Sequence, residues 1–397
     1  MTKIMNQLIN ITTKVFPHPV TIYPMAPANQ AAWFPGPDKS LLEVKPAPYT
    51  SPDAGQMVVK NGAVAVNPID WAKQFVGDKK WKWMTHPWIL GEDVAGEIVE
   101  IGEGVTRFKV GDRVISHAVG FYVFGNRPEE GTFQLYTIVR ENMTAPIPDS
   151  LSFERACVIP LACSAASCAL YQKTYLELPY PTFPPAPLNG QYILITGGAT
   201  SVGCNAIQLA RASGYKVVTT CSPKNFPLVK GLGALYAFDY NSPGLEEDIV
   251  AVLRDVEVVG AFAIGPGSVE LSIEVLSQLG DSCQKIVAKA SFPWPKDDPK
   301  NDDEYWEYMK WVDGWNDKIS ELENQHGIQT RFVEGAELGR NELGKIIYEN
   351  FLPGALAGGA YIAAPEPQVI GNGLEYIQEA LDVHKNGVSA RKVVVSL

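Results

Sequence analysis

A glycine-rich turn near the middle of the chain is the clearest candidate for a site of chemistry. Residues 192–203 read Tyr-Ile-Leu-Ile-Thr-Gly-Gly-Ala-Thr-Ser-Val-Gly, an apolar strand pattern that runs through a turn into a helix pattern. Glycine lets the backbone approach a pyrophosphate closely, and a helix N-terminus attracts that anion. Because strand, turn, helix and a further strand follow in order, we expect a dinucleotide site rather than a structural turn. Its expected residues are Gly197, Gly198, Ala199, Thr200, Ser201, Val202 and Gly203.

The end of the next predicted strand, residues 216–221, indicates which dinucleotide. An NAD site usually places an acidic residue there, which binds the ribose 2′-hydroxyl. This chain has Ser222, Lys224 and Asn225 instead, and Tyr240 follows the third strand. A hydroxyl and a cation suit a 2′-phosphate, whereas the alternative is a lysine exposed on a surface loop. We therefore predict NADPH as the cofactor.

A second group of polar and aromatic residues has the types that line a substrate cleft. The candidates are Asn67, Asp70, Trp71, Phe121, Tyr122, Phe124 and Ser164, of which Asn67, Asp70, Trp71, Tyr122 and Ser164 are the predicted catalytic set. Each has a structural alternative. Asn67 can shape a turn, Asp70 can cap the helix that follows, and the aromatic residues can belong to the core.

Cysteine usage and charge exclude several other classes of protein. The six cysteines, at positions 157, 163, 168, 204, 221 and 283, do not have the spacing of a disulfide framework, which favours a reducing cytosol. His86, His117 and Glu92 are the alternative metal ligands, but we predict no metal site. The net charge of −11 argues against nucleic acid and anionic membranes as partners. No apolar run of about 18–20 residues and no signal peptide is evident.

The length of 397 residues predicts two domains, and the patterns along the chain differ between them. Strands expected at 30–34, 41–45, 57–66, 93–101, 113–117 and 133–139 suggest a barrel-like first domain. From residue 191 strands alternate with helices, which predicts a doubly wound parallel sheet. Its expected strands are 192–196, 216–221 and 234–238. The expected helices are 153–175, 202–213, 226–232, 245–254, 303–323 and 374–386, and a strand at 392–397 closes the chain.

Several motifs resemble the medium-chain dehydrogenase/reductase superfamily. They are residues 91–96 (Gly-Glu-Asp-Val-Ala-Gly), residues 110–114 (Val-Gly-Asp-Arg-Val) and the 197–203 turn. Within it the chain resembles the fungal trans-acting enoyl reductases of polyketide pathways and their cip- and tox-type relatives. This similarity lies in segments 67–71, 131–136, 220–226, 238–240 and 390–395 and extends over residues 28–290 and 367–397.

The resemblance implies an α/β architecture with two domains. A GroES-like, β-rich catalytic domain is expected at residues 1–175, with an N-terminal arm. A Rossmann NADP-binding domain, with its doubly wound parallel sheet, is expected at 176–345, and residues 346–397 are expected to return to the catalytic domain. It also implies a small-molecule substrate, a polyketide synthase or another pathway enzyme as a possible partner, and a monomer or homodimer.

The same resemblance implies zinc-independent hydride transfer. Asn67 and Glu92 lie where zinc-dependent relatives carry their first ligands, and no cysteine precedes Cys157. The zinc-free branch typically reduces activated C=C bonds: hydride goes to the β-carbon, and a nearby acid or solvent protonates the α-carbon. We therefore predict an NADPH-dependent reductase of an α,β-unsaturated carbonyl, from a polyketide or other secondary-metabolite pathway.

Two departures from the related sequences keep other activities open. Relatives often carry lysine where this chain has Ala72, and Lys73 is turned about 100° away on a helix. Relatives also often carry threonine where this chain has Ala165. The alternatives are a quinone or carbonyl reductase, and a non-redox descendant that uses the cleft for cyclisation or isomerisation. The segment 291–366, rich in aromatic and acidic residues, is expected to help cover the cleft.

Overall fold

The computed structural model describes residues 27–36, 41–122, 127–280, 282–290, 293, 299 and 301–397. The expected N-terminal arm before residue 27 and the cleft candidate Phe124 lie outside the described residues.

The described residues form sixteen strands and eleven α-helices. The strands are β1 Asn29–Phe34, β2 Glu43–Ala47, β3 Gln56–Ala65, β4 Trp88–Ile89, β5 Asp93–Ile101, β6 Arg113–His117, β7 Tyr136–Arg140, β8 Thr144–Pro146, β9 Tyr192–Ile195, β10 Lys216–Thr220, β11 Ala234–Phe238, β12 Val258–Ala263, β13 Ile286–Lys289, β14 Gln329–Phe332, β15 Glu366–Asn372 and β16 Arg391–Ser396. The helices are α1 Pro68–Lys80, α2 Phe153–Ala156, α3 Pro160–Tyr171, α4 Ser201–Ala212, α5 Phe226–Gly231, α6 Leu245–Leu253, α7 Ser268–Ser277, α8 Asp302–His326, α9 Glu342–Lys345, α10 Leu352–Ala357 and α11 Ile377–Lys385.

The β-rich part of the chain is built around the long strand β3. One end of β3 pairs with β7 and the other with β16, while β5 pairs along its length, in a sheet ordered β15-β16-β3-β5-β6-β8. A smaller sheet has the order β2-β1-β4. Gly96 lets β5 approach β3, because a Cβ there would lie 2.2 Å from the carbonyl oxygen of Lys60. The β-rich first domain expected from the sequence is confirmed.

The second sheet is parallel throughout, with the order β11-β10-β9-β12-β13-β14. Counted from β9, this is the 3-2-1-4-5-6 order of dinucleotide-binding folds, whose ligand crevice lies at the carboxyl ends of the strands where the order reverses. The reversal falls between β9 and β12. The expected α/β architecture, with a Rossmann-like sheet, is therefore confirmed.

Two expectations about local structure need correction. The helix expected at 153–175 is two helices, because Pro160 starts α3 and cannot continue the ladder of α2. β7 begins at Tyr136 rather than at residue 133. The N–H of Phe133 donates a hydrogen bond to the carbonyl oxygen of Leu90, which lies outside β7. Several elements of the parallel sheet were not predicted from the sequence: the strands β12, β13 and β14 and the helix α7. The predicted domain boundaries at 176 and 346 remain predictions; the parallel sheet, from β9 to β14, lies between them.

The helix α8 connects the two cores. Tyr305, Tyr308 and Val312 are buried against the core under α1, and the Tyr308 ring meets Phe75 edge-on at 6.4 Å between centroids. Ile319, two turns further on, is buried in the core of the parallel sheet. This helix belongs to the segment expected to cover the cleft, and it spans from one domain to the other.

The 19-residue segment Phe153–Tyr171 is long and apolar enough to cross a membrane by length and composition, with a mean hydropathy of 1.4 over an 18-residue stretch. In the fold 78% of that stretch is buried. Its apolar character is explained by its position, because α3 packs against α4 between the two domains.

The contact between α1 and α11 gives a prediction about acid stability. Trp71 Nε1 donates a hydrogen bond to His384 Nδ1 at 3.0 Å. Burial, and then the charge of Lys392, lower the pKa of His384 from 6.5 to about 3. Because the unfolded chain takes up a proton below pH 6.5 and the folded chain does not, this contribution is complete above pH 6.5 and is lost as pH falls towards 3.

We therefore expect H384N to lose less unfolding free energy than the wild type when the pH is lowered from 7 to 4.5. The asparagine oxygen can still accept the indole proton, so the contact itself is kept. Urea titrations at the two pH values measure this difference. Equal losses in the two proteins would contradict the assignment.

Candidate active site

The glycine-rich turn has the geometry of a phosphate-binding turn. Gly197 adopts φ +64°, and its N–H donates to Thr220 Oγ1 at the end of β10 (3.1 Å). Thr200 caps α4, since its Oγ1 accepts the N–H of Gly203 at 3.0 Å. The first N–H groups of a helix have no acceptor within the helix. Those of Ser201 and Val202 are therefore available to an anion lying over the turn.

Three glycines of this turn have no room for a side chain. A Cβ on Gly197 would lie 2.3 Å from the carbonyl oxygen of Ile264, and one on Gly198 would lie 2.1 Å from Thr219 Oγ1. A Cβ on Gly203 would lie 2.3 Å from the carbonyl oxygen of Gly197. The turn is therefore a cradle of bare backbone against β9 and β10, which fits the pyrophosphate of a dinucleotide.

The residues expected at a 2′-phosphate come together beyond β10. Ser222 Oγ and the hydroxyl of Tyr240 are 2.9 Å apart, although 18 residues separate them. Lys224 is exposed on the short turn that Ser222 begins, and Asn225 ends that turn. Residues 221–226 contain no carboxylate.

A second loop, which was not predicted from the sequence, lies at the same edge of the parallel sheet. After β12, Ile264 donates its N–H to Thr196 Oγ1 at 2.9 Å and places its carbonyl against Gly197. Gly265 and Gly267 follow with φ of +102° and +70°. The sequence Gly-Pro-Gly directly after a buried apolar run was the available signal, since such a triplet marks a turn.

Asn67 and Asp70 have structural roles that the sequence left open. Asp70 Oδ2 accepts the N–H of Asn67 at 2.8 Å, which closes the first turn of α1, and Oδ1 accepts the N–H of Gly91 at 3.2 Å. Asn67 Nδ2 donates to Asp93 Oδ2 at 2.8 Å, and its oxygen accepts from Lys392 Nζ. Both side chains are buried and hydrogen-bonded within the protein, and their predicted catalytic role stays a prediction.

Two other members of the predicted catalytic set pack against other helices of the protein, and their catalytic role stays a prediction. Trp71 points to α11, where it bonds His384. Ser164 is completely buried in α3, where its Oγ lies 2.7 Å from the hydroxyl of Tyr348. That hydroxyl in turn donates to the carbonyl of Pro160. The side of the helix on which each residue lies determines where its side chain points, and residue type alone does not predict this.

Tyr122 is the member of the set that packs against two of the core clusters at once. Its ring is half-buried and packs against both large cores of the molecule. Phe121, beside it, meets the Tyr122 ring edge-on at 5.5 Å and is itself buried. Burial, and then the negative charges of Glu92 and Asp70, raise the pKa of Tyr122 well above its usual value. Tyr122 is therefore a protonated phenol, held next to a carboxylate.

A buried charge cluster lies behind Tyr122. Lys73 Nζ lies 2.5 Å from Glu92 Oε1, and His117 Nε2 lies 3.3 Å from Glu92 Oε2. All three side chains are at most 2% exposed. The Lys73 ammonium also lies 3.9 Å from the centre of the Phe121 ring. No role for Lys73 was predicted from the sequence, although its spacing of three from Asp70 places both residues on one face of α1.

The cluster shifts the pKa of its carboxyl groups in opposite directions. Burial raises the pKa of Glu92, but the Lys73 ammonium and the contact with His117 outweigh it and hold the pKa below its usual value. For Asp70, burial and the negative charge of Glu92 dominate and raise its pKa to about 7. Glu92 is the fixed anion of the site, and Asp70 exchanges its proton near neutral pH.

The donor set does not suit a zinc ion. Among the described residues, no three His, Cys, Asp or Glu side chains come together in a way that could hold a metal. Lys73 and Lys392 place ammonium groups directly on Glu92 and Asp93, and a metal ion would have to displace them. The expectation of a zinc-independent site remains a prediction, and the cationic partners of both carboxylates support it.

The fold and the glycine turn together define a two-domain protein of the nicotinamide-dependent oxidoreductase class. Comparison with known proteins identifies the family within this class. Residues 53–149 match the alcohol dehydrogenase GroES-like domain. The chain is 47% identical to dehydrogenase pigH of Monascus ruber over 94% of this chain and 100% of that one. It is 37% identical to trans-enoyl reductase himH of Aspergillus japonicus, over 93% and 97% of the two chains. The structure of CurK enoyl reductase superposes with a TM-score of 0.67 at 18% identity, over 93% and 99%.

The chain therefore belongs to the medium-chain dehydrogenase/reductase superfamily, alongside fungal dehydrogenases and trans-enoyl reductases. The family predicted from the motifs is confirmed, and with it a nicotinamide cofactor and an oxidoreductase class of activity.

A pair of glycine variants tests the cradle. We expect G203A to weaken dinucleotide binding at least tenfold, because its Cβ has to push back the backbone of Gly197. The matched control is G231A, also in a helix, where a Cβ meets nothing within 4 Å. Alanine there should leave binding unchanged and add up to about 1 kcal/mol of stability. Nucleotide fluorescence titration measures both; unaltered binding in G203A would contradict the assignment.

Proposed function

We propose that the protein is an NADPH-dependent reductase of activated C=C bonds, acting on an α,β-unsaturated carbonyl compound. The observation that carries the choice of NADPH is the Ser222–Tyr240 hydroxyl pair beyond β10, with Lys224 beside it and no carboxylate at residues 221–226. Two hydroxyls and an ammonium group offer donors to a phosphate, whereas a ribose hydroxyl is usually bound by an acid. The predicted set of Gly197, Gly198, Ala199, Thr200, Ser201, Val202, Gly203, Ser222, Lys224, Asn225 and Tyr240 is the proposed cofactor site.

Tyr122 is the proposed proton donor. Bound NADPH supplies a hydride, which adds to the β-carbon of the enone and leaves an enolate. The enolate then needs a proton at its α-carbon, and a phenol that stays protonated at neutral pH is suited to give it. We place the Tyr122 hydroxyl at the cleft, because its ring packs against two of the core clusters and meets the Phe121 ring edge-on. Asn67 and Asp70 support the first turn of the adjacent helix.

The substrate class and the cellular setting are proposed from the relatives. Proteins 37% and 33% identical to this one, himH of Aspergillus japonicus and tndF of Aspergillus flavipes, are named trans-enoyl reductases. We propose by analogy a polyketide or related secondary metabolite as substrate, with a polyketide synthase as the possible partner. Six free, buried cysteines are consistent with a reducing cytosol. A monomer or a homodimer remains the expected assembly.

Lysine variants test the cofactor assignment. We expect K224A to raise the Kd for NADPH about tenfold, equivalent to about 1.4 kcal/mol, and to leave the Kd for NADH unchanged. The matched control is K230A, an exposed lysine of α5, which should alter neither. In S222D, a new carboxylate should repel the 2′-phosphate and favour NADH. Equal binding of NADPH and NADH by the wild type would overturn the proposed cofactor.

Product analysis tests the reaction. We expect NADPH oxidation with an enone panel to give products saturated at the C=C bond and unreduced at the carbonyl. Alcohol or hydroquinone products would indicate the carbonyl or quinone reductase instead. Conversion of a substrate without any NADPH consumption would indicate the non-redox alternative.

A further inference from the structure

A small cavity lies at the far end of α4 from the phosphate turn. It has a volume of about 50 Å³, and its buried lining is apolar, with Leu232 after α5 and Phe351 and Ala355 around the start of α10. Arg211, in the last turn of α4, lines the same cavity. Ten residues of helix separate Arg211 from Ser201, a distance of about 15 Å. The cavity is therefore separate from the proposed cofactor site.

The guanidinium of Arg211 gives this cavity its chemistry. Its Nη1 is buried and has no hydrogen-bond partner among the described residues. A guanidinium is always protonated in proteins and has only donors, and a buried charge without an acceptor costs free energy. Among the described residues that line the cavity, none is Asp or Glu. The lining therefore supplies a cation and an apolar surface, but no anion.

Two other polar side chains of the lining are engaged within the protein. Gln208 donates through Nε2 to the carbonyl oxygens of Cys204 and Ile362, at 3.1 and 3.0 Å. Its Oε1 accepts the N–H of Ile362 at 2.7 Å. The hydroxyl of Tyr361 donates to Asn205 Oδ1 at 2.6 Å. These bonds leave the guanidinium as the group that receives the charge of a ligand.

The mouth of the cavity is exposed and largely apolar. Phe183 and Pro185 lie there, in the loop before β9. The Phe183 ring rests on bare backbone at the end of α10, since a Cβ on Gly358 would lie 2.3 Å from its Cζ. Thr182 also lines the mouth, and its hydroxyl donates to the carbonyl oxygen of Pro184 at 2.9 Å. A ligand with a charged head at the guanidinium would thus place an apolar chain against this loop.

We propose that this cavity binds a small carboxylic acid with an apolar chain, whose carboxylate pairs with Arg211. A guanidinium presents parallel N–H groups that match the two oxygens of a carboxylate. A phosphate ion has four oxygens and would need further donors, but those of Gln208 and Tyr361 are engaged.

The dimensions of the cavity set how the acid lies. A volume of about 50 Å³ accommodates few non-hydrogen atoms, so the carboxylate and the first carbons fill it. The rest of the chain lies on Phe183 and Pro185 at the mouth. The bound acid connects the loop before β9 with α4 and α10, and it does not enter the proposed reductase site.

The test is calorimetric titration of the full chain with hexanoate. We expect one saturable site with a Kd of about 1 mM, the affinity that eight non-hydrogen atoms of ordinary ligand efficiency provide. R211Q should weaken binding at least tenfold, because an amide cannot form the ion pair. The matched control is R254Q, an exposed arginine at the end of α6, which should bind as the wild type does. Hexanol, with the same chain and no charge, should not bind.

A second variant keeps the proposal testable if R211Q does not fold. A360L retains the arginine and places an isobutyl group in the mouth of the cavity, where Ala360 is exposed. It should weaken hexanoate binding at least tenfold without lowering the unfolding free energy.

Four results would overturn the proposal. They are unchanged hexanoate binding in either folded variant, no saturable binding by the wild type, equal binding of inorganic phosphate, and loss of hexanoate binding when NADPH is saturating. The last result would place the carboxylate at the phosphate turn instead. Hexanoate binding by a wild type that does not bind NADPH would leave this site intact and overturn the proposed cofactor.

Discussion

The structure of the site depends on two neighbouring buried carboxylates that point in different directions. Glu92 is paired with Lys73, and Asp93 with Lys392, in both cases with no more than 2% exposure. Asp93 Oδ1 also accepts the N–H of Leu161 in the first turn of α3, at 2.6 Å. One carboxylate thus joins β5 to the last strand and to α3, while the other holds Lys73 and His117.

Because of this arrangement, the last strand of the chain contributes to a site whose other residues come from the first third of the sequence. Lys392 on β16 reaches both Asp93 and the side-chain oxygen of Asn67, which precedes α1. Asn67 therefore links the start of α1 to β5 and to β16. The phosphate turn follows β9 of the parallel sheet, whereas the proposed donor Tyr122 precedes that sheet in the chain, and α8 contributes buried residues to both cores.

Much of the fold was predictable, because β5, β6 and β11 have patterns that mark their ends in the sequence. The phosphate turn was predictable for the same reason, since its function needs backbone and glycine. β12 and β13 were not predicted, because short strands buried on both faces have no alternation. The directions of the side chains were least predictable: Ser164 and Trp71 have suitable chemistry but pack against other helices, while Lys73 points inward to Glu92. Residue type cannot specify direction where one position on a helix turns a side chain by about 100°.

The most direct test of this account measures how strongly the Asp93–Lys392 pair couples to the stability of the fold. Unfolding free energies of D93N, K392M and the double variant D93N/K392M, from urea titrations, give the coupling energy of the pair. We expect each single variant to lose about 3–5 kcal/mol, because it leaves a buried partner uncompensated, and the double variant to lose much less than the sum. Single losses below about 1 kcal/mol that simply add would contradict the central role of this pair.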